Sequence, residues 1–315
     1  MQKVRDSIIA GLGASVLLAA SLTTAQAMEI GVAWLGKSGM ASSVRAGFEE
    51  GMKELLPDAN LEVRPDLADA DTLQKAINDY ETSKTAMVIL RSNGAKILGK
   101  HGPKIPSFIG GANHPGQLGV ISNLEAPEGN ITGVTYYLDY LVRMESFMAV
   151  VPNVTKVHML VEEGHAGSQV DIDGTLEACK TLNLTCTHSV VKGRDQALAD
   201  LAGHKDASMI IIGNQAGLYD KNMDAFLAEM GSVPVVSYAA GAVKLGALTS
   251  LAANDHQLGR LLALKVVEVV SGGKSVHDVP VGYDEDPTLL VNMATLSSLN
   301  MELEPEILEG AQLIE

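Results

Sequence analysis

The side chains with the clearest capacity for chemistry sit in short loops that follow apolar, β-forming runs. Arg91-Ser92-Asn93-Gly94 follows AMVIL, Gly111-Ala112-Asn113-His114 follows SFIG, and Glu162-Glu163-Gly164-His165 follows VHMLV. A guanidinium beside a hydroxyl and an amide is a fork for a carboxylate or phosphate, and the competing role for Arg91 is a surface ion pair. Glu162 and Glu163 have the residue types of an acid and base pair. Neighbours at a strand end point to opposite sides, however, so at least one of them faces solvent. His165 has no second histidine at ligand spacing, and a solvated loop histidine is the simpler role. The sequence contains no GxSxG, no HExxH, no phosphate loop ending in GK[ST], and no GxGxxG after a strand beyond residue 27. These residues therefore point to binding without covalent chemistry, and no metal or cofactor is expected.

The elements that must position these loops alternate strand and helix. Strands are expected over 29–34, 61–64, 86–90 and 107–110, with helices over 41–56 and 72–80, the latter capped by Asp71. A second run follows, with helices over 138–151, 168–182, 220–230 and 256–271 and strands over 157–161, 185–191, 209–213 and 233–238. Residues 279–281 and 288–292 read as extended, and 304–311 as a short terminal helix. This order implies parallel sheets with helices on both faces, that is, an α/β fold of two Rossmann-like lobes. In such sheets ligands sit beyond the carboxyl ends of the strands, near helix N-termini. That rule selects Trp34, Ser38, Arg91, Ser92, Asn113 and His114 in the first lobe. In the second it selects Tyr136, Glu162, Ser168, Asn214 and Tyr238. Trp34, the single tryptophan, could equally fill the core.

Between the two runs lies PEGNITGVT, residues 127–135, with two glycines among β-formers. It reads as a strand leaving one lobe and entering the other, and GALTS at 246–250 reads as a second crossing. The expected division is 28–133 plus 255–275 for one lobe and 134–254 plus 276–315 for the other. Two lobes joined by extended crossings make a hinged cleft that can close on a small molecule.

Composition narrows the partners. A net charge of −15 and only 4% aromatic residues argue against nucleic acid, whose phosphates would be repelled and whose bases would find few stacking surfaces. At the N-terminus, Lys3 and Arg5 precede an apolar run over 8–20 and an Ala25-Gln26-Ala27 cleavage pattern. The run is too short to span a membrane, so 1–27 reads as a secretory signal peptide and the product as a periplasmic protein beginning at Met28. In that compartment Cys179 and Cys186 could form a disulfide or remain two half-buried thiols.

The segments LEAPEGNITGVT at 124–135, GALTSLAANDHQLGR at 246–260, 278–281 and Leu290-Val291-Asn292 resemble the ABC-transporter substrate-binding proteins of the tryptophan/tyrosine-binding type over essentially the whole chain after residue 27. The resemblance implies the type I periplasmic-binding-protein fold with three hinge crossings. It also implies a monomer that delivers a small solute to a permease in the inner membrane. A sensor subunit presenting ligand to a membrane receptor is the alternative. Where relatives commonly carry a small Ala-Thr-Pro loop, this chain has Arg91; where a Thr-Asp-Pro turn is common, it has Asn113-His114-Pro115. Glu162-Glu163 replaces an Asn-Pro pair, and Ser250-Leu251-Ala252 replaces Ser-Tyr-Gly. The first two changes make that wall kinder to an anion. They imply a carboxylate-bearing ligand held by Arg91 with Ser92 and Asn113, and an amine or hydroxyl of the same ligand received by Glu162 or Glu163.

Overall fold

The computed structural model describes residues 28–315, so the segment 1–27, read above as a signal peptide, lies outside the described residues. The first half folds as β1 (Glu29–Leu35), α1 (Gly39–Leu55), β2 (Asn60–Leu67), α2 (Ala70–Ser83), β3 (Ala86–Leu90), α3 (Ser92–His101), β4 (Ser107–Ala112) and β5 (Ile131–Thr135). Its five strands form a parallel sheet in the order β2-β1-β3-β4-β5. β3 and β4 are buried along their whole length, as strands covered on both faces must be.

The second half runs α4 (Tyr140–Val150), β6 (Lys156–Glu162), α5 (Ser168–Thr181), β7 (Thr185–Val191), α6 (Arg194–Ala202), β8 (Met209–Ile212), α7 (Ala216–Tyr219), α8 (Met223–Met230), β9 (Val235–Ser237) and α9 (Ala240–Lys244). Its parallel sheet has the order β7-β6-β8-β9, which repeats the first lobe's pattern. In both sheets the chain reverses its direction of travel beside the first strand, and the crevices at β1/β3 and β6/β8 mark where a ligand fits. A third sheet, β10 (Thr249–Ala252), β11 (Thr288–Asn292) and β12 (Ala311–Ile314), pairs β10 and β11 antiparallel and β11 and β12 parallel.

The chain returns to the first lobe through α10 (Asp255–Val270), which lies along α1 and also touches β4 and β5. Residues 276–282 stay there as well. Thr132 Oγ1 donates to the Val279 carbonyl at 2.6 Å, and Gly282 N donates to Gly133 O at 2.9 Å. This strip belongs beside β5, whereas sequence alone assigned it to the other lobe.

Other expectations change in detail. The segment 127–135 does not itself cross: Ile131–Thr135 is the buried last strand of the first sheet, and the chain leaves after it. Gly133 sits at φ +143, where a Cβ would strike the Ile109 backbone, so β4 and β5 can approach only over a glycine. The 246–250 stretch contributes to β10 rather than to a bare linker. Asp69, not Asp71, caps α2, through a reciprocal pair with Thr72. Ser92 opens α3, Ala240 opens α9, α11 (Met293–Ser298) follows β11 directly, and the terminal helix, α12 (Pro305–Gly310), gives way to β12.

Cys179 and Cys186 are joined as a disulfide, with Cα atoms 6.2 Å apart. It ties the end of α5 to β7. Closing so short a loop constrains the unfolded chain by about 2–3 kcal/mol.

Candidate functional site

A cavity of about 400 Å³ opens between the lobes, at the carboxyl ends of β1, β8 and β9. That volume suits a small solute. Ser38, Tyr136, Asn214 and Tyr238, all expected at a site, line it. Ser38 caps α1, its Oγ accepting from Ala41 N at 3.2 Å. Tyr136 and Tyr238 are buried, and burial pushes both phenols well above their usual range.

Arg143 dominates the cavity wall, although the sequence reading did not select it. It projects from α4 with only 2% of its surface exposed. The guanidinium lies 5.1 Å from the Tyr238 ring centre and 5.7 Å from that of Tyr140. Its hydrogen bonds are long, 3.5 Å to the Tyr238 carbonyl and 3.4 Å to the Tyr136 carbonyl, and its Nε has no partner. A buried cation with unspent donors at a cavity wall has the chemistry to hold an anion. The spacing of Tyr140, Met144, Phe147 and Val150 marks an apolar stripe that takes in Arg143, but it identifies a buried cation only once α4 is set against the sheet.

Arg91 reaches the same region from the first lobe but does not line the cavity. Its Nη1 donates to the Leu35 carbonyl, and the Gly36 carbonyl lies at 3.5 Å. Its Nε is buried without a partner, and burial lowers its pKa. The backbone of Arg91 is held at φ +73, an unfavourable conformation for a residue with a long side chain and a mark of a constrained site. Glu162 faces it across the cleft; burial raises the carboxyl's pKa, and the charge of Arg91 partly offsets that. Glu163 points away to Lys192, 3.5 Å distant, on the exposed side.

Ser92, Asn113 and Ser168 are spent within the protein. Ser92 Oγ accepts from Asn113 N at 3.0 Å, and Ser168 Oγ donates to the Glu162 carbonyl at 2.7 Å. The Asn113 amide donates to Asp171 at 2.9 Å. Asp171 is a hub: it also accepts from Tyr140 at 2.5 Å, Gln215 at 2.6 Å and the Asn214 backbone at 3.3 Å. Burial raises its pKa in spite of these donors. Because Asn113 follows β4 and Asp171 lies in α5, this network ties one lobe to the other. A second tie runs from Ala166 N to Asn93 Oδ1 at 2.7 Å.

Trp34 and His114 stand outside the cavity. Trp34 is 1% exposed, packs in the first-lobe core and donates from Nε1 to Asp66 at 3.1 Å. His114 Nδ1 accepts from Gly116 N at 3.1 Å and Gln117 N at 3.3 Å, so it closes a turn, with Tyr137 edge-on at 4.7 Å. His165 is half-buried, and loss of solvent lowers its pKa to about 4.

The cavity is also lined by Asp255, at the start of α10, and Lys244, at the end of α9. Burial pushes the Asp255 carboxyl up to about 7, with Lys244 pulling it back. The lining combines a buried guanidinium, a carboxyl with an ammonium near it, and aromatic rings, and among the described residues it pairs no nucleophile with a base.

Comparison with known proteins bears on the family and the fold. The profile of the family described as "ABC transporter substrate binding protein" matches residues 29–314. A "Tyrosine-binding protein" from Clostridioides difficile (strain R20291) is 23% identical over 238 residues, 74% of this chain and 68% of the relative. Among solved structures, an ABC domain in complex with L-Trp from Streptococcus pneumonia superposes with a TM-score of 0.80 at 16% identity, covering 92% of this chain and 100% of the other. A ligand-free, open substrate-binding protein with adhesive properties from Clostridium difficile gives 0.75 at 18% identity, covering 91% and 99%.

Proposed function

We propose, from the premise that this chain belongs to the ABC transporter substrate-binding protein family, that it captures a small carboxylate-bearing solute of amino-acid type and delivers it to a membrane permease. The observation that carries this reading is Arg143, buried at the cavity wall with its Nε unpartnered. In this reading Arg143 receives the carboxylate and Asp255 the ammonium group, while Tyr136 and Tyr238 form the walls. Arg91 acts beside them by holding the Leu35–Gly36 turn that presents Ser38. The names of the tyrosine-binding relative and the L-Trp complex support an amino-acid class.

Capture proceeds by closure of the lobes. The bonds from Asn113 to Asp171 and from Ala166 to Asn93 latch the closed form, and a ligand bridging Arg143 and Asp255 adds to them. A solute that contacts both lobes binds the closed state better than the open one, so it shifts the equilibrium toward the state a permease can recognise.

Thermal-shift measurement on residues 28–315 tests the ligand class. Among L-tyrosine, L-tryptophan, other amino acids, dicarboxylates and neutral sugars, at least one carboxylate should raise Tm. A ligand at 100 times its Kd adds about 2.7 kcal/mol. Stabilisation by neutral sugars alone would refute an anion on Arg143.

Proteins of this family generally act outside the cytoplasm. We place this chain in the periplasm, released by cleavage after Ala27, in keeping with its disulfide. Protein recovered from the periplasmic fraction should begin near Met28. An uncleaved N-terminus would overturn that placement.

A further inference from the structure

On β6, away from the cleft, His158 points toward α6 and meets Asp200 and His204. The two imidazoles stack with ring centres 3.5 Å apart and planes 10° apart. His158 Nε2 lies 2.7 Å from Asp200 Oδ2, and His204 Nδ1 lies 3.7 Å from the same oxygen. Ligand atoms from all three residues fall within 4.8 Å of one another. We propose that His158, Asp200 and His204 form a binding site for a divalent transition-metal ion of the zinc class, independent of the solute cavity.

The surroundings of the three residues are what distinguish them from a simple buried pair. Each has a second polar atom held in place. His158 Nδ1 is 2.8 Å from Thr187 Oγ1, Asp200 Oδ1 accepts from Ser189 Oγ at 2.6 Å, and His204 Nδ1 is 2.8 Å from the Asp200 carbonyl. Outer partners of this kind fix the tautomer and aim of metal-binding imidazoles and carboxylates. A carbonyl only accepts, so His204 carries its proton on Nδ1 and keeps the Nε2 lone pair free. The Thr187 hydroxyl can donate or accept. His158 can therefore move its proton from Nε2 to Nδ1, keep that bond, and present Nε2 to a cation.

The donor set selects the ion. Two imidazoles and one carboxylate suit zinc, cobalt, nickel or copper, whereas calcium and magnesium need more oxygen ligands. Tetrahedral zinc with bonds of about 2.0–2.2 Å needs ligand atoms roughly 3.4 Å apart. His158 Nε2 and Asp200 Oδ2 stand 2.7 Å apart, and one ligand atom from each of the three residues falls within 4.8 Å of the others, so side-chain shifts of about an ångström complete the site. Asp200 is 20% and His204 28% exposed, which leaves water a route to a fourth position.

The test uses residues 28–315 without an affinity tag, stripped by a chelator, and titrated with Zn²⁺ against a chromophoric competitor. One equivalent should bind, and Co²⁺ in its place should give the visible band of a tetrahedral ion. His204→Ala should weaken uptake by about ten-fold or more, with melting in chelator confirming that the variant folds. His188→Ala, an exposed histidine on the neighbouring strand outside the cluster, should bind like wild type. If Zn²⁺ shows no saturable uptake, or His204→Ala binds as wild type does, the His158–Asp200 contact is a structural pair and the proposal fails.

Discussion

Replacing Arg143 with methionine should reduce solute affinity by about 2–5 kcal/mol, roughly 30-fold at the least. The expected size follows from where the residue sits. A ligand carboxylate leaves water to meet a guanidinium that is itself 2% exposed, so neither charge is well screened. Losing one partner of such a pair leaves the other buried and unpaired, which is the costly case. Methionine keeps the length and apolar contact with the Tyr140 and Tyr238 rings while removing every donor. Arg143→Lys should recover part of the loss, because a point charge remains but the two-pronged geometry does not.

Arg91 supplies the contrast. Its Nη1 is committed to the Leu35 carbonyl, so Arg91→Ala loosens a loop and should weaken binding less than Arg143→Met does. Calorimetry with the best ligand from the thermal-shift panel decides between them. Equal affinity of Arg143→Met and wild type, with melting unchanged, would remove Arg143 from the site.

The order of these two arginines shows what could be read from the chain. Loop position is legible: alternating strand and helix patterns locate the carboxyl ends of strands, and with them Ser38, Tyr136, Asn214 and Tyr238. Side-chain direction is not. Ser92 and Asn113 lie in the right loops, yet their polar atoms turn to each other and to Asp171. Arg91 turns to a backbone carbonyl. Arg143 and Asp171 escaped notice because they lie inside helices, where a charged residue ordinarily reads as solvent-facing. Their place in a buried stripe becomes informative only once α4 and α5 are phased against the sheet.

The fold was legible for a different reason. Strands such as Ala86–Leu90 and Met209–Ile212 are short continuous apolar runs, and only sheets covered on both faces make such runs stable. The weaker elements were not. α6, over Arg194–Ala202, buries only Ala197 and Leu201, too few apolar positions to announce a helix. β12 is half exposed and follows a helix directly, so the terminal helix absorbed its first residue. The strip 276–282 holds to β5 through single hydrogen bonds, a tertiary preference with no local pattern.

Gly259→Val should cost at least about 3 kcal/mol, at the upper end for overpacking, and lower Tm by roughly 6–12 °C. α1 and α10 meet backbone to backbone. A Cβ on Gly259 would land on the Val44 carbonyl, and one on Gly47 on the His256 carbonyl; one on Gly51 would come 2.7 Å from the Ala263 Cβ. Gly47 and Gly51 are four residues apart on one helix, Gly259 and Ala263 four apart on the other, so two stripes of small residues interlock. The opposing atoms at Gly259 are backbone, which cannot rotate away, so valine must push the helices apart. Phe48, Met52, Leu258 and Leu262, buried in the same core, would lose contacts as they part. The displacement would also reach the cavity, because Asp255 opens α10 one turn before Gly259. Gly39→Ala is the matched control, since nothing stands within 4 Å of its Cβ position and it should melt as wild type does. Scanning calorimetry of both variants settles the matter: if Gly259→Val melts within a degree or two of Gly39→Ala, the two helices are not locked by these glycines, and the fixed placement of Asp255 has another cause.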